Sequence, residues 1–237
     1  STNEARLKFF KMLKINSNVR TIVCCGSIQP RKNQINIAEY FDKYIKASGK
    51  NNVQLLFIGP TLKSHKEYAN KFIEIIKDKK YIRYLGNRFY YPLYMASSDM
   101  MLIGSLNEGL STIIRESIFY NKIICSTNID GSLGLLSNNN SFIVNKNNLE
   151  AELRSVFDQV FTNNISLKDK LYELENTYDA FISEQNYIGE ARRKSIEEIL
   201  LQEDFRSNLE NILEDMEGSV SSEWCPICKF DALLNES

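Results

Sequence analysis

Two glutamates, Glu108 and Glu116, stand on either side of a helix start, where they could bind a polar ligand. They belong to the segment 107–116, which follows a buried apolar run at 100–103 and opens a helix predicted over 110–120. A helix start offers backbone N–H groups and the positive end of the helix dipole, which favour an anion. Ser111 and Thr112 are small and leave room for one there.

The spacing of the two carboxylates sets the size of the ligand that they could span. Eight residues of helical rise is ~12 Å, which is close to the separation of the sugar ring and the ribose in a nucleotide sugar. One carboxylate could then accept hydrogen bonds from sugar hydroxyls and the other from the ribose diol. Glutamates in a first turn also occur because they complement the helix dipole, so the spacing alone leaves both interpretations open.

The elements that must position these glutamates alternate along the first 165 residues. Six short apolar runs, most of them continuous, are typical of strands buried on both faces of a parallel sheet. The predicted strands are Thr21–Cys25, Val53–Ile58, Tyr81–Leu85, Met100–Ile103, Ile123–Cys125 and Phe142–Val144, and helical stretches separate them at 34–47, 64–77, 91–97, 110–120 and 147–161. This order predicts an α/β fold with a doubly wound, Rossmann-like parallel sheet that binds ligands at the carboxyl edge of its strands.

The composition excludes several classes of protein. The chain has 237 residues, of which 43% are apolar and 25% charged, which is an ordinary balance for a globular protein. A net charge of -1 argues against nucleic-acid binding. No apolar run approaches the ~20 residues of a membrane span. Five scattered cysteines and an N-terminus that does not resemble a signal peptide predict a cytoplasmic protein.

An uneven distribution of charge predicts two parts. Residues 167–218 hold 14 acidic and 6 basic side chains, whereas residues 1–166 carry a net charge of +9. We therefore expect an α/β domain over 1–165 and an acidic helical extension and tail over 166–237, with helices at 167–185, 189–201 and 204–217. The pair Cys225 and Cys228 is a single CxxC motif, which supplies too few ligands for a zinc site of its own.

The landmarks of the first part resemble, in order, those of a known family. Glu108 and Glu116 are separated by seven residues, Asp99 precedes the strand before them, and Asn121–Ile124 follows their helix. This pattern resembles the donor-binding, C-terminal half of retaining glycosyltransferases of the GT-B fold, family four, also called the group 1 transferases. The resemblance covers roughly residues 5 to 160, and its other landmarks are Val19–Lys32, Leu56–Gly59, Tyr84–Arg88 and Asp130-Gly131.

The resemblance implies roles for individual residues. Lys32 would contact the donor diphosphate, and Glu108 would hold the donor sugar and face the reacting carbon, so these two are the expected catalytic residues. Thr112 would lie near the distal phosphate, Glu116 would bind the ribose, and the backbone of 86–88 would meet the base. The implied donor-binding residues are Gly26, Ser27, Arg31, Lys32, Gly86, Arg88, Glu108, Gly109, Leu110, Ser111, Thr112 and Glu116. The sequence has no Asp-x-Asp motif, so no metal and no other cofactor is expected.

Three departures from the family pattern shape the functional prediction. Ser27 stands where the family has an arginine, and Arg31 could supply that cation from the next turn. Asn33 follows Lys32, where a glycine is common. The acceptor-binding domain is not part of this sequence, so we expect an acceptor domain or partner chain to complete the cleft.

Three interpretations of function remain open at this point. In the first, the chain transfers a sugar from a nucleotide sugar to a saccharide or lipid-linked acceptor. In the second, it is a non-catalytic nucleotide-sugar-binding or assembly subunit on the same fold. The third is an unrelated doubly wound nucleotide-binding domain, for which the lack of a G-x-G-x-x-G motif in the first strand–helix turn argues against a dinucleotide cofactor. Lysines between 63 and 80 form a basic run, which we interpret as a solvated helix face, with a contact at the inner face of a membrane as the alternative.

Overall fold

All six predicted strands are present and form one parallel sheet in the computed structural model. The structure describes residues 19–88, 91–109, 111–130 and 135–161, together with Lys11 and Asn16. The strands are β1 (Arg20–Cys25), β2 (Val53–Ile58), β3 (Ile82–Tyr84), β4 (Met100–Ile103), β5 (Ile123–Thr127) and β6 (Phe142–Val144). Strands β2, β4 and β5 are buried at every position, as their mainly apolar sequences predict.

The order of the strands reverses between β1 and β4, and the edge formed by the carboxyl ends of these two strands is called the crevice below. The order is β3-β2-β1-β4-β5-β6, so the chain builds outward from β1 to one edge and then from β4 to the other. Open α/β sheets bind ligands where the direction of building reverses, at the carboxyl ends of the two central strands. The turn after β1 and the loop after β4 meet there, since the Leu106 N–H donates to the Arg31 carbonyl at 2.8 Å.

Helices cover both faces of the sheet. They are α1 (Gln34–Ser48), α2 (Lys66–Ile76), α3 (Tyr91–Ser97), α4 (Thr112–Phe119) and α5 (Leu149–Phe161). Alternate strand residues such as Ile22 and Leu55 join a core with α1, α2 and α5, in which the Phe41 and Phe157 rings meet edge to face at 5.5 Å. Val23 and Leu56 point to the opposite face and are also fully buried, and α3 and α4 pack on β1 and β5. The doubly wound α/β fold is therefore confirmed.

The five helical stretches predicted between 34 and 161 are confirmed with small shifts at their ends. The helix predicted from residue 64 begins at Lys66, after a 3-10 turn at Lys63–His65. All the strands and helices named here belong to one compact unit, Asn16–Gly189. The predicted extension over 166–237, with its helices and the Cys225 and Cys228 pair, lies outside the described residues, so the domain boundary stays a prediction. Within the described ranges, no helix has the length and hydropathy to cross a membrane.

Two asparagines, Asn33 and Asn121, lie at turns where the backbone is left-handed, and both stand where the pattern of the family that the sequence resembles has a glycine. Asn33 has φ 61° and Asn121 has φ 48°. Asparagine is among the few residues other than glycine that adopt this conformation readily, whereas a β-branched residue would be strained. Asn33 ends the 3-10 turn at Pro30–Lys32 and precedes α1, and Asn121 follows α4. These departures from the family pattern therefore preserve the two turns.

A buried carboxylate ties α1 to the end of α2 and the start of β3. Asp42 is 9% exposed and accepts hydrogen bonds from the Tyr81 hydroxyl and from Lys46 at 2.8 Å, with Lys79 at 3.7 Å. Burial alone would raise the pKa of Asp42, but these hydrogen bonds and lysine charges outweigh it and lower the pKa from 3.8. Lys79 therefore belongs to an ion-pair cluster around Asp42. Lys77, which directly follows α2, pairs with Glu74 of that helix. The exposed Lys77–Glu74 pair is what a solvated helix face would show, whereas Lys79 is committed to the Asp42 cluster.

Replacing Asp42 with asparagine should destabilise the protein in a pH-dependent way. At pH 7 we expect a loss of about 1 kcal/mol, or roughly 2–4 °C in melting temperature for a chain of this size. Because the folded-state pKa lies below the unfolded-state value, the carboxylate stabilises the fold above about pH 4, and this contribution is lost as pH falls through the folded-state pKa. Thermal melts across pH, with exposed Glu39→Gln on the same helix as control, measure this. If Asp42→Asn and the wild type differed in melting temperature by the same amount at every pH, the predicted role of the ionised carboxylate would be contradicted.

Candidate functional site

The turn after β1 brings two cations to the crevice. Gly26 has φ 144° and its N–H donates to the Ile58 carbonyl at 2.8 Å, which closes the end of the strand against β2. The 3-10 turn at Pro30–Lys32 follows and carries Arg31 and Lys32 side by side. A Cβ atom at position 26 would lie 3.3 Å from Lys32 Cε, so the lysine side chain lies directly across this glycine.

Both cations bind one carboxylate from the loop after β4. Lys32 Nζ donates to Glu108 Oε1, and Arg31 Nη1 donates to Glu108 Oε2 at 2.9 Å. The Ser105 hydroxyl also donates to Oε1, at 2.8 Å. The side chains of Glu108 and Lys32 are only 8% and 15% exposed, whereas that of Arg31 is 46% exposed. Glu108 is therefore the internal counter-anion of the Arg31 and Lys32 cations.

The surroundings of Glu108 keep it ionised. Burial by itself would raise the pKa of this carboxyl, but hydrogen bonds from Lys32 and Ser105 and the charges of Lys32 and Arg31 outweigh burial and hold the pKa below its usual range. Two positive charges then face one negative charge. The cluster retains a net positive charge at the mouth of the crevice, which suits an anionic ligand.

Hydrogen bonds to neighbouring elements fix the loop that carries Glu108. The Thr127 hydroxyl, at the end of β5, donates to the Ser105 carbonyl at 2.6 Å. Arg31 Nη1 donates a second hydrogen bond, to the Asn107 carbonyl at 3.2 Å. Ser105 is 2% exposed. The carboxylate is thus positioned by both the β1 turn and the end of β5.

The start of α4 lies directly after this loop. Ser111 is buried in the N-cap position, and its side chain makes no capping hydrogen bond. Thr112, the first helical residue, is exposed, and so is Gly109, which has no atom within 4 Å of the place of a Cβ. Leu110 lies outside the described residues. A helix start with small side chains is present, as the sequence predicts.

Glu116 lies near the same strand end as Lys32. The pKa of the buried Cys25 thiol is raised well above its usual value, by burial first and then by Cys24 and Glu116, while Lys32 acts in the opposite direction. The charges of the Glu116 carboxylate and of the Lys32 ammonium group therefore both act on the end of β1. The Tyr91 hydroxyl donates to Glu116 Oε1 at 2.8 Å.

Gly86 is linked to the crevice through Gly59. The Gly59 N–H donates to the Gly86 carbonyl at 2.9 Å. A Cβ atom at Gly59, where φ is 147°, would lie 2.2 Å from the Gly26 carbonyl oxygen. Three glycines at the ends of β1, β2 and β3 thus meet through their backbones. Arg88 lies close by in the sequence and hydrogen-bonds Tyr94 of α3, and no contact between Arg88 and Glu108 is among the described interactions.

Ser27 contributes no charge, and its neighbours hold it in place. Its hydroxyl accepts a hydrogen bond from Gln29 Nε2 at 2.5 Å, and its carbonyl accepts one from Gln34 Nε2 at 2.9 Å. The second cation of the site comes from Arg31 instead. Among the described residues, no group of three or more histidine, cysteine or acidic side chains converges as a metal site would require.

The sequence matches the family of glycosyl transferases group 1 over residues 5–178. The chain belongs to this family. No curated protein matches the sequence.

Solved structures of group 1 and related glycosyltransferases share the fold. HepE from Anabaena, in complex with UDP, has 17% identity and a TM-score of 0.66, with 83% of this chain and 52% of that one covered. A glycosyltransferase from Rickettsia africae has 22% identity and a TM-score of 0.66, with coverage of 83% and 51%. The C-terminal domain of the group 1 protein LpcC from Francisella tularensis has 16% identity and a TM-score of 0.63, with coverage of 77% and 94%. The chain thus spans about half the length of the first two.

The structure brings together part of the set that the sequence predicts. Arg31, Lys32 and Glu108 are in direct contact, and Glu116 lies at the same strand end. Sequence reasoning missed Ser105, although it is the first polar residue after β4 and lies three positions before Glu108. It also missed Tyr91, because nothing in the sequence indicates a bond across 25 positions. The ligand-binding roles of the group 1 site residues stay predictions.

Proposed function

We propose that this chain is the donor-binding half of a glycosyltransferase that transfers a sugar from a UDP-sugar, with retention of configuration, to a saccharide or lipid-linked acceptor. The observation that carries the proposal is the convergence of Arg31, Lys32 and Glu108 at the carboxyl edge of the sheet, beside the start of α4. Family membership supports transfer of a sugar. The structures of HepE with UDP and with UDP-glucose support a uridine nucleotide as the donor.

Stabilisation of the leaving group is the chemistry that the site suits best. Transfer breaks the bond between the anomeric carbon and a diphosphate oxygen, and the electron pair leaves with the diphosphate. The acceptor hydroxyl oxygen forms the new bond to the sugar carbon, and its proton passes to the departing diphosphate oxygen. Lys32, Arg31 and the helix start at Thr112 would face the negative charge that develops on the departing diphosphate, which lowers the barrier.

Glu108 changes partners in this scheme. In the structure it occupies both cations, so a bound diphosphate would take over Lys32 and Arg31 and release the carboxylate towards the hydroxyls of the donor sugar. There its negative charge would face the electron-poor carbon of an oxocarbenium-like transition state. Glu116 would bind the ribose, and the backbone at 86–88 would meet the base. Because lysine and arginine supply the positive charge and the sequence lacks an Asp-x-Asp motif, we propose that no metal takes part.

The acceptor half of the cleft would come from another domain or chain. The chain covers about half of the HepE structure but nearly all of the LpcC C-terminal domain, which supports its assignment as the donor half. The alternative is a non-catalytic nucleotide-sugar-binding or assembly subunit, for which the loss of the family arginine at Ser27 is the argument. The position of Arg31 on Glu108 favours the enzyme, because the site retains two cations.

Binding of UDP to the full chain tests this proposal. We expect isothermal titration to give a dissociation constant below about 1 mM. Glu116→Gln should weaken binding about tenfold, because the ribose would lose a charge-assisted hydrogen bond. Glu150→Gln, an exposed glutamate paired with Lys43, is the matched control and should bind as the wild type does. An absence of UDP binding at millimolar concentration would contradict the proposal.

A test for transfer separates the enzyme from the subunit. Supplying the acceptor half, as a domain or as a partner chain, should restore transfer from UDP-glucose if the chain is catalytic. Donor binding without turnover in every such mixture would favour the non-catalytic subunit.

A further inference from the structure

Tyr91, which is not among the predicted site residues, makes a hydrogen bond to the carboxylate of Glu116, which is. Tyr91 begins α3, and its hydroxyl donates to Glu116 Oε1 on α4 at 2.8 Å. The side chain is partly buried. Burial raises the pKa of Tyr91, and the adjacent Glu116 carboxylate raises it further. The hydroxyl therefore keeps its proton at neutral pH and remains a donor to Glu116.

The pair lies at the crevice rather than on a remote face of the domain. Helix α3, which Tyr91 begins, packs on β1, and Glu116 lies on α4, which begins directly after the loop that carries Glu108. In agreement with this placement, Cys25 at the carboxyl end of β1 raises the pKa of Tyr91, and Glu116 raises the pKa of Cys25. The charge of Lys32 lowers the pKa of the same Cys25 thiol. Tyr91 and Glu116 are therefore neighbours of the strand end from which the Arg31 and Lys32 turn departs.

We propose that Tyr91 is a positioning residue that orients the Glu116 carboxylate for a ribose diol and thereby makes the site select ribonucleotides over 2′-deoxyribonucleotides. The proposal rests on the proposed function, in which Glu116 binds the ribose. The terminal torsion of a glutamate is broad and easily rotated. A fixed donor on one oxygen removes this freedom and sets the plane of the carboxylate.

The chemistry of a phenol suits this role. A tyrosine donates one hydrogen bond without cancelling the negative charge of the carboxylate, which has about four acceptor positions in all. A carboxylate oriented in advance loses less freedom when it accepts bonds from two adjacent hydroxyls. A site built around a hydroxyl discriminates strongly against an analogue that lacks it, because a buried polar group is then left without its partner.

The affinity ratio of UDP to 2′-deoxy-UDP measures this selectivity. We expect the wild-type chain to prefer UDP about tenfold and Glu116→Gln to abolish the preference. Tyr91→Phe keeps the ring and removes the donor, so it should lower the ratio to about threefold, with less effect on the affinity for the deoxynucleotide. In the double variant the ratio should equal that of Glu116→Gln alone, since Tyr91 acts through Glu116.

Matched controls separate the possible failures. Tyr68→Phe removes a hydroxyl that accepts a hydrogen bond from the Ile35 N–H on another face, and it should leave the ratio unchanged. An unchanged ratio in Tyr91→Phe, with a lowered ratio in Glu116→Gln, would overturn the role of Tyr91 and leave the proposed function standing. An unchanged ratio in Glu116→Gln would overturn both the ribose role of Glu116 and the inference. A wild-type chain that does not bind UDP would overturn the proposed function itself.

Discussion

Replacing Glu108 with glutamine should make the protein bind UDP about tenfold more tightly, although Glu108 is an expected catalytic residue. The reason is that its carboxylate occupies both Lys32 and Arg31 in the structure. A diphosphate must displace this anion before it can reach the two cations. Glutamine keeps the shape of the side chain but removes the charge, so the competition disappears. Isothermal titration at one fixed ionic strength measures the effect.

Two further measurements make the Glu108 prediction specific. Lys32→Met should weaken UDP binding by ~10–100-fold, because a charge-assisted bond to the diphosphate is lost. With UDP-glucose, the gain from Glu108→Gln should be smaller than with UDP, because the sugar would lose an acceptor for its hydroxyls. Weaker UDP binding by Glu108→Gln would show that Glu108 is not a competing anion. A thermal melt of each variant is the control for an intact fold.

Adding one methyl group at Gly59 should have the largest effect on the fold. The Cβ atom of an alanine there would lie 2.2 Å from the Gly26 carbonyl oxygen, at a backbone φ of 147° that side chains rarely adopt. Backbone atoms cannot move aside cheaply, so strain and overpacking should together cost about 3–5 kcal/mol. We expect a fall in melting temperature of roughly 10 °C or more. Because the displaced atom belongs to the β1 turn, UDP binding should weaken as well.

Gly109→Ala is the matched control for the Gly59 variant. Gly109 lies in the loop that carries Glu108, and a Cβ atom there would have no neighbour within 4 Å. The control should melt within about 1 °C of the wild type, as expected for a change that creates neither a cavity nor a clash. If Gly59→Ala melted like Gly109→Ala, the close approach between the ends of β1 and β2 would not be a rigid feature of the fold.

The sequence predicted the sheet well because a buried parallel strand leaves a strong local signal. Each predicted apolar run, such as 100–103, forms a strand in the structure, and the glycines that follow several of them mark where backbones meet. Local pattern also placed Lys32 and Glu108 on two loops that share an edge. The direct contact between them could not be predicted, because it depends on the strand order that brings β1 beside β4.

The partners of the site residues were harder to infer than the residues themselves. The sequence allows Arg31 to supply the cation missing at Ser27, and the structure places its guanidinium on Glu108. Tyr91 gave no signal, since a single tyrosine at a helix start is usually part of a core or a surface. Its role depends on α3 and α4 lying close enough for the Tyr91 hydroxyl to reach Glu116. Such contacts between elements distant in sequence are set by tertiary structure, not by local propensity.

The ion pairs at Glu108 also bear on which anions can bind to Arg31 and Lys32. A singly charged anion such as chloride would only exchange the single negative charge of the Glu108 carboxylate for its own. Its binding would therefore gain little free energy. A diphosphate brings several negative oxygens at once and can bridge the ammonium and the guanidinium simultaneously. We therefore expect the Glu108 carboxylate to disfavour small monovalent anions at Arg31 and Lys32 and to leave these cations available to polyanions.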